Sequence, residues 1–520
     1  MVGDGEIRFN KGKDPDGDTF SLSLLIEALQ ERPGPVVRFY IETAYRPNDV
    51  SDPDTRGADH FSFDFLEKRK DLENFDEVWL FGDEIILPGP SPVPMRDDEV
   101  CVLFKWMENG NGVFATGDHT NLGEALNSNI PRVRSMRKWQ NDTPPAGGRD
   151  RHDTLRSGDG VNYFEDDQGD TIPQEILPEP YPYKNIKNSV EYHHPLLCGQ
   201  AGAIKVLPDH MHEGECCVPP LDLPMVLSCP ALDLPVQDFP DQGGVKPMPQ
   251  LVARSQAVGR HTTIKIIGGV RIEDVPVEPI PFIAIAAYDG HPINRGRVVV
   301  DSSFHHFVNV NLTGFANGDK SVPNQGLYAY EEIKSYFRNI GVWLAPKDVQ
   351  RSIFIRALWE ARWRSRLAFE LKNVPEEFVL DEHWRIVQDI AISARKVIDH
   401  ILSRCLSLEW AIDIINEAKV TDMELNLRVP WSGVKPLDSD LTTDFDAEEL
   451  INTVIGGAIF ALAHKFRSKE GVPDNLSLEQ VEGEIKGGVK IGVQCYLKAI
   501  SQSITDLRAL SDNFVIAFGL

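Results

Sequence analysis

Between residues 75 and 126 the chain alternates short apolar runs with amphipathic stretches, and this constrains the fold more than any other feature. FDEVWLFG (75–82) reads as a buried strand, being rich in aromatic and β-branched side chains. EVCVLFKWMENG (99–110) has the 3.6-residue period of an amphipathic helix. GNGVFATGDHTNLGEAL (110–126) opens as a second strand, breaks at Gly117-Asp118-His119, and continues as a helix with Leu122 and Leu126 four apart. Strand and helix recur at βαβ spacing, which predicts a doubly wound parallel sheet with helices on both faces.

The rest of the chain extends this pattern and then departs from it. Residues 20–31 read as a helix stopped by Arg32-Pro33-Gly34, and VVRFYIETAY (36–45) as a buried strand. From about 140 to 260 the periodicity breaks up: 207–250 holds nine prolines, where the chain's average gives about three. Apolar residues persist there, so the segment reads as a long ordered insertion. Strands resume with TIKIIGGV (263–270), PFIAIAAY (281–288) and GRVVVDSS (296–303), and a helix over 330–346 closes the domain. After 347 only helical periodicity remains. Trp384, Val387, Ala391, Ala394, Ile398 and Ile401 form one apolar face, and 348–372, 408–418, 446–466 and 485–511 read similarly. The expected organisation is an α/β domain over 1–346 and an α-helical domain over 347–520.

The chain of 520 residues carries 53 Lys and Arg against 79 Asp and Glu, a net charge of −26. Duplex nucleic acid and anionic membrane surfaces are poor partners for such a balance. The longest apolar run, VIGGAIFALA (454–463), is far short of the ~20 residues that span a bilayer. Seven cysteines without C-x-x-C spacing, two of them adjacent at Cys216-Cys217, suit neither a disulfide framework nor a zinc ribbon. The expectation is a reducing, cytoplasmic setting.

Four clusters could carry chemistry. Gly117, Asp118, His119 and Thr120 stand at a strand-to-helix turn, where side chains line the sheet's carboxyl edge and helix N–H groups favour an anion. Asp118 could equally be a helix cap. Residues 131–156 hold seven Lys and Arg, including Arg132, Arg134 and Arg137, against three Asp. Guanidinium forks suit a carboxylate or phosphate ligand, and internal ion pairing is the alternative. His210, His212 and Glu213 combine imidazole with carboxylate, a donor set for a divalent metal, though no specific metal motif accompanies them. DSSFHHFVNVN (301–311) places Asp301, His305 and His306 after a strand, either facing Asp118 across the sheet edge or split between packing and solvent. DPDGD (14–18) reads as a turn, since its glycine is misplaced for a calcium loop, and no Walker-type or dinucleotide glycine loop occurs.

FDEVWLFG, the helix over 99–110, NGNGVFATGDHTNLG and GRVVVDSSFHH occur in an order that resembles the class I glutamine amidotransferase-like superfamily. The resemblance is to its trehalose-utilisation (ThuA-like) branch and to uncharacterised bacterial relatives, and it covers most of 36–345. It implies a flavodoxin-like or amidotransferase-like sheet. It also implies a nucleophilic Cys near Gly117-Asp118, where this chain has none; Cys101 lies in the preceding helix with core spacing. Glutaminase activity is therefore not expected. In the ThuA-like branch a His near that turn matches His119, and a His after the closing strand matches His305 or His306. Two functions follow as expectations. One is a hydrolase- or lyase-type enzyme using Asp118, His119, His305 and His306 in acid–base chemistry on a small sugar-like or amide substrate. The other is a non-catalytic protein whose helical domain associates with itself or with a partner.

Overall fold

The computed structural model describes residues 1–5, 7–10, 21–31, 37–46, 59–60, 62–83, 93–118, 122–140, 145, 161–165, 174–181, 193–199, 202–207, 214–220, 237–257, 261–267, 270–276, 280–313, 326–372, 377, 379–402, 404–417, 447–466 and 478–518. The chain divides into two compact units. The first comprises Met1–Arg32, Arg38–Glu179 and His193–Lys347; the second comprises Pro33–Val37, Pro180–Tyr192 and Asp348–Leu520.

In chain order the first unit begins with β1 (Val2–Gly3), α1 (Ser23–Gln30), β2 (Ala44–Tyr45), β3 (Asp59–His60) and α2 (Phe63–Arg69). There follow β4 (Glu77–Asp83), α3 (Asp97–Glu108), β5 (Gly112–Asp118), α4 (Glu124–Asn127) and α5 (Val133–Met136). The insertion contributes β6 (Val161–Glu165), β7 (Gln174–Pro178), β8 (Cys198–Gly199), β9 (Gly202–Ala203), β10 (Val206–Leu207) and β11 (Gln250–Ala257). The unit ends with β12 (His261–Ile267), β13 (Val270–Pro276), β14 (Ile280–Tyr288), β15 (Val298–Asp301), α6 (Asn309–Thr313) and α7 (Gly326–Leu344).

Ten strands form one sheet in the order β10-β7-β11-β14-β15-β5-β4-β1-β2-β3. From β15 to β3 every pairing is parallel. From β15 outward through β14, β11, β7 and β10 every pairing is antiparallel. The sheet is therefore mixed rather than parallel throughout. The cause is local: the connection 289–297 between β14 and β15 is shorter than the ~12 residues a parallel crossover needs. TIKIIGGV, read as one strand, is split between β12 and β13, which join β6 in a separate three-stranded sheet. Among the described residues of VVRFYIETAY only Ala44 and Tyr45 pair, because β1 presents just two residues to them, and Tyr40 is exposed.

Side-chain alternation divides the parallel strands between two faces. Val78, Leu80, Val113, Ala115, Val298 and Val300 pack with Val100 and Leu103 of α3, Leu126 of α4, and Val133 and Met136 of α5. On the other face Trp79 packs on Phe114, and Phe81 and Phe114 meet Phe307, which in turn contacts Tyr336 and Phe337 of α7. Both faces of the parallel half are thus covered, as expected for strands that read as near-continuous apolar runs.

The second unit is helical: α8 (Lys347–Ala361), α9 (Ser365–Lys372), α10 (Leu380–Leu402), α11 (Arg404–Glu417), α12 (Ala447–Lys465) and α13 (Leu478–Phe518). Val387, Ala391, Ala394 and Ile398 form the buried stripe of α10. Gly457 of α12 lies against the Gly488 and Gly492 backbone of α13, so close that a Cβ at 457 would sit 2.7 Å from the Gly492 nitrogen. Among the described residues no helix is long and apolar enough to cross a membrane.

Candidate functional site

β1, β4, β5 and β15 run parallel, so their carboxyl ends share one edge, and each ends at or next to an aspartate: Asp4, Asp83, Asp118 and Asp301. Asp4 Oδ1 accepts from the Asp83 backbone N–H at 2.5 Å, tying β1 to β4. Gly5, with φ +55°, leaves no room for a Cβ against the Asp83 carbonyl. Asp83 and Asp118 are register partners across β4 and β5.

β5 runs on to Asp118 instead of breaking at Gly117. The chain then folds back over its own end. A Cβ at Gly117 would lie 2.6 Å from the Leu122 carbonyl and 3.0 Å from Gly123 Cα. The expected helix near Thr120 begins only at Glu124, with left-handed Gly123 at its N-cap and no side-chain cap bond. Its N-cap position is held by Gly123 rather than Asp118, and at four residues it offers no extended helix terminus for an anion. The Asp118 side chain and residues His119 and Thr120 lie outside the described residues, as do His210, His212 and Glu213. Among the described residues no group of His, Cys, Asp and Glu could hold a metal ion.

The arginines are engaged internally. Arg132 donates through its backbone N–H to Asp238 Oδ2 at 2.8 Å and through Nε to the Asp238 carbonyl at 2.9 Å, and its Nη2 pairs with Glu108. Arg134 Nη2 donates to Asp238 Oδ1 at 3.0 Å. Arg137 is buried and donates to the carbonyls of Gly117, Leu122 at 2.9 Å, Lys138 at 2.7 Å and Ser302 at 2.8 Å. It is a strut between the ends of β5 and β15. Asp238, more than a hundred residues from Arg132 within the proline-rich insertion, supplies the countercharge for Arg132 and Arg134.

The end of β15 carries the densest polar cluster. Asp301 is completely buried and accepts three bonds: from His306 Nδ1 at 2.6 Å, the Tyr336 hydroxyl at 2.7 Å and the Ser303 N–H at 3.1 Å. A carboxylate removed from water is tolerated when it is hydrogen-bonded in this way. Burial pushes the Tyr336 phenol well above its ordinary range, and the Asp301 charge adds to the shift, so the hydroxyl stays a donor. His306 is also completely buried, and its Nε2 has no hydrogen-bond partner among the described residues. His305 stacks on Phe304 with ring centroids 4.7 Å apart and pairs through Nδ1 with Asn311 Oδ1 at 3.1 Å. Both histidines are buried; neither is solvated.

The sequence points to Asp301 and His306 but not to Tyr336. That residue lies 35 positions downstream of Asp301, on a helix whose Ile333, Tyr336, Phe337 and Ile340 read as ordinary core. Thr116 carried no signal either. Its side chain is buried between the register pair Phe81 and the end of β15, and its Oγ1 has no hydrogen-bond partner among the described residues.

The cysteines correct one expectation. Cys101 and Cys198 are each held in a disulfide, against the reading that the spacing suits none. Cys216 and Cys217 are buried thiols. Burial pushes Cys216 well above its ordinary range despite nearby Arg137, and pushes Cys217 up to about 12. Neither is a thiolate nucleophile in this state.

Fold and site together define an α/β protein with a buried aspartate–histidine pair at the carboxyl edge of its sheet, joined to a helical unit. Comparison with known proteins finds no matching family model, no matching curated protein and no matching solved structure.

Proposed function

We propose that the first unit is a doubly wound, amidotransferase-like domain whose acid–base site lies at the end of β15, with His306 transferring a proton to or from a small polar substrate. The strand order supports the first part. In β3-β2-β1-β4-β5 the order reverses between β1 and β4, and open α/β sheets form their ligand crevice outside the strand ends at such a reversal. The second part is carried by the 2.6 Å contact between His306 Nδ1 and Asp301 Oδ1, with Nε2 left unpartnered among the described residues. An Nδ1–H donated to the carboxylate fixes the tautomer and leaves the lone pair on Nε2 as a base. Once Nε2 takes a proton, Asp301 stabilises the imidazolium. Tyr336, bonded to the other carboxylate oxygen, orients Asp301. Glutaminase chemistry is not proposed, because Cys216 and Cys217 are held protonated.

The test is turnover. Purified protein is offered small carboxamides, glycosides and esters at neutral pH, with products followed by NMR. The wild type is expected to convert at least one class, with ammonia release from glutamine at background. His306→Gln should melt within a few degrees of wild type and lose about 10²–10⁴ in rate, the usual contribution of a positioned acid or base. Full activity in that variant, or none in the wild type, would reject the reading.

A further inference from the structure

Two buried polar atoms without hydrogen-bond partners among the described residues lie on the same face of the sheet: His306 Nε2 and Thr116 Oγ1. Their neighbourhood follows from register. Val300 of β15 pairs with Ala115 of β5, so Asp301 and Thr116, one residue further on, stand side by side and share a face. Phe307, the residue after His306, packs on Phe114 with centroids 5.0 Å apart and on Phe81 at 5.6 Å. Phe114 is two residues before Thr116, and Phe81 is its register partner. The register therefore places the imidazole held by Asp301 and the Thr116 hydroxyl on the same face, at the carboxyl ends of neighbouring strands.

We infer that Thr116 is a second ligand-contacting residue of this site and that the group held between it and His306 is a hydroxyl. The inference rests on the acid–base reading of His306. With Nδ1–H given to Asp301, Nε2 can only accept, while the Thr116 hydroxyl can donate and accept. A hydroxyl is the smallest group that satisfies both with one atom: its O–H donates to Nε2 and its oxygen accepts from Oγ1. An anion fits badly. It brings no proton for Nε2 and would meet the buried Asp301 carboxylate with like charge. Arg132 and Arg134, which could offset such a charge, are turned to Asp238 and Glu108 beside α3 and α5, on the opposite face. The hydroxyl belongs to a substrate alcohol or to a bound water, and both meet the same geometry.

The experiment is ¹⁵N NMR of the full-length chain labelled at histidine, with His306 assigned by its loss in His306→Gln. The expected result is an Nδ1–H tautomer whose Nε2 resonance is displaced toward the hydrogen-bonded range, moves back in Thr116→Val and stays in Thr116→Ser. Adding glycerol distinguishes the sources: a further shift marks an alcohol site, and no shift marks bound water. A larger response to acetamide, acetate or inorganic phosphate than to glycerol overturns the hydroxyl. An Nε2 resonance identical in wild type and Thr116→Val overturns the role of Thr116. Raised stability in Thr116→Val with no change at His306 does so too, because it marks the hydroxyl as a dry, unsatisfied group. These results are separate from the turnover test, which fails if His306→Gln keeps its rate or if the wild type converts none of the substrates.

Discussion

A buried histidine need not be a working one, and His194 shows the contrast with His306. Its Nδ1 accepts from the Leu196 N–H at 3.2 Å, and its ring packs on Trp343 with centroids 5.0 Å apart. Burial, with Arg297 adding to it, lowers its pKa from 6.5 to about 3, so the native ring is neutral. As pH falls below 6.5 the unfolded chain takes up a proton that the native state refuses until about 3. Over that window the unfolded state binds more protons, and stability falls with falling pH by about 1.4 kcal/mol per unit at full slope. His194→Asn keeps an acceptor at the cap and removes the titration. Urea unfolding at pH 7, 5 and 4 should therefore give a flatter dependence in the variant, and parallel slopes would reject the assignment. The sequence made His305 and His306 candidates through their place after a strand, and that logic was readable because strand ends collect ligand groups. What it could not supply was the partner. Nothing local distinguishes Tyr336 from the core residues around it, and only the packing of α7 on β15 brings its hydroxyl to Asp301.

At the scale of elements, the strands with strong apolar texture were legible: β4, β5, β14 and β15 fall where β-branched and aromatic runs predict them. β11 was not, because Arg254, Ser255 and Gln256 dilute its alternation and a bulge between Leu251 and Ala253 breaks the period of two. Strand direction was misjudged beyond β15 for a different reason. Periodicity reports burial, and direction depends on the length of each connection. The helices of the second unit were read from their stripes, but the close approach of α12 and α13 depends on glycines that periodicity treats as weak helix formers. Two adjacent residues of α13 separate these roles. A Cβ at Gly488 would press on Ala458 Cα at 2.7 Å, whereas at Gly487 nothing lies within 4 Å. Gly487→Ala should stabilise the protein by about 0.5–1 kcal/mol through helix propensity. Gly488→Ala should destabilise it, because the overpacking penalty of about 1–3 kcal/mol exceeds that gain. Thermal melts of the two variants decide the matter; equal shifts would mean the helix contact is looser than described.

For the whole molecule, the cysteines bear on how the chain is held together. The sequence argues for seven reduced thiols because adjacent Cys216-Cys217 and the lack of paired spacing look nothing like a disulfide framework. That argument compares positions along the chain, whereas a disulfide needs only proximity in space. Cys101 sits on α3 and Cys198 on β8, and each is in a disulfide. Of the seven cysteines, at most 7 − 2 = 5 are then available as thiols. Protein purified without reductant, denatured and labelled with iodoacetamide should gain no more than five labels by mass, and seven after reduction. Disulfides persist where the surroundings are oxidising, so the labelling also bears on the compartment that the cysteine spacing suggested. Reduction should lower the unfolding free energy by about 2–4 kcal/mol per bond broken, through the greater freedom of the unfolded chain. Seven labels on unreduced protein would remove disulfide bonding at Cys101 and Cys198 from the account and return the reduced cysteines that the spacing implies. Five or fewer, with an unfolding midpoint that drops on reduction, would show that disulfide bonding contributes to the stability of the folded chain.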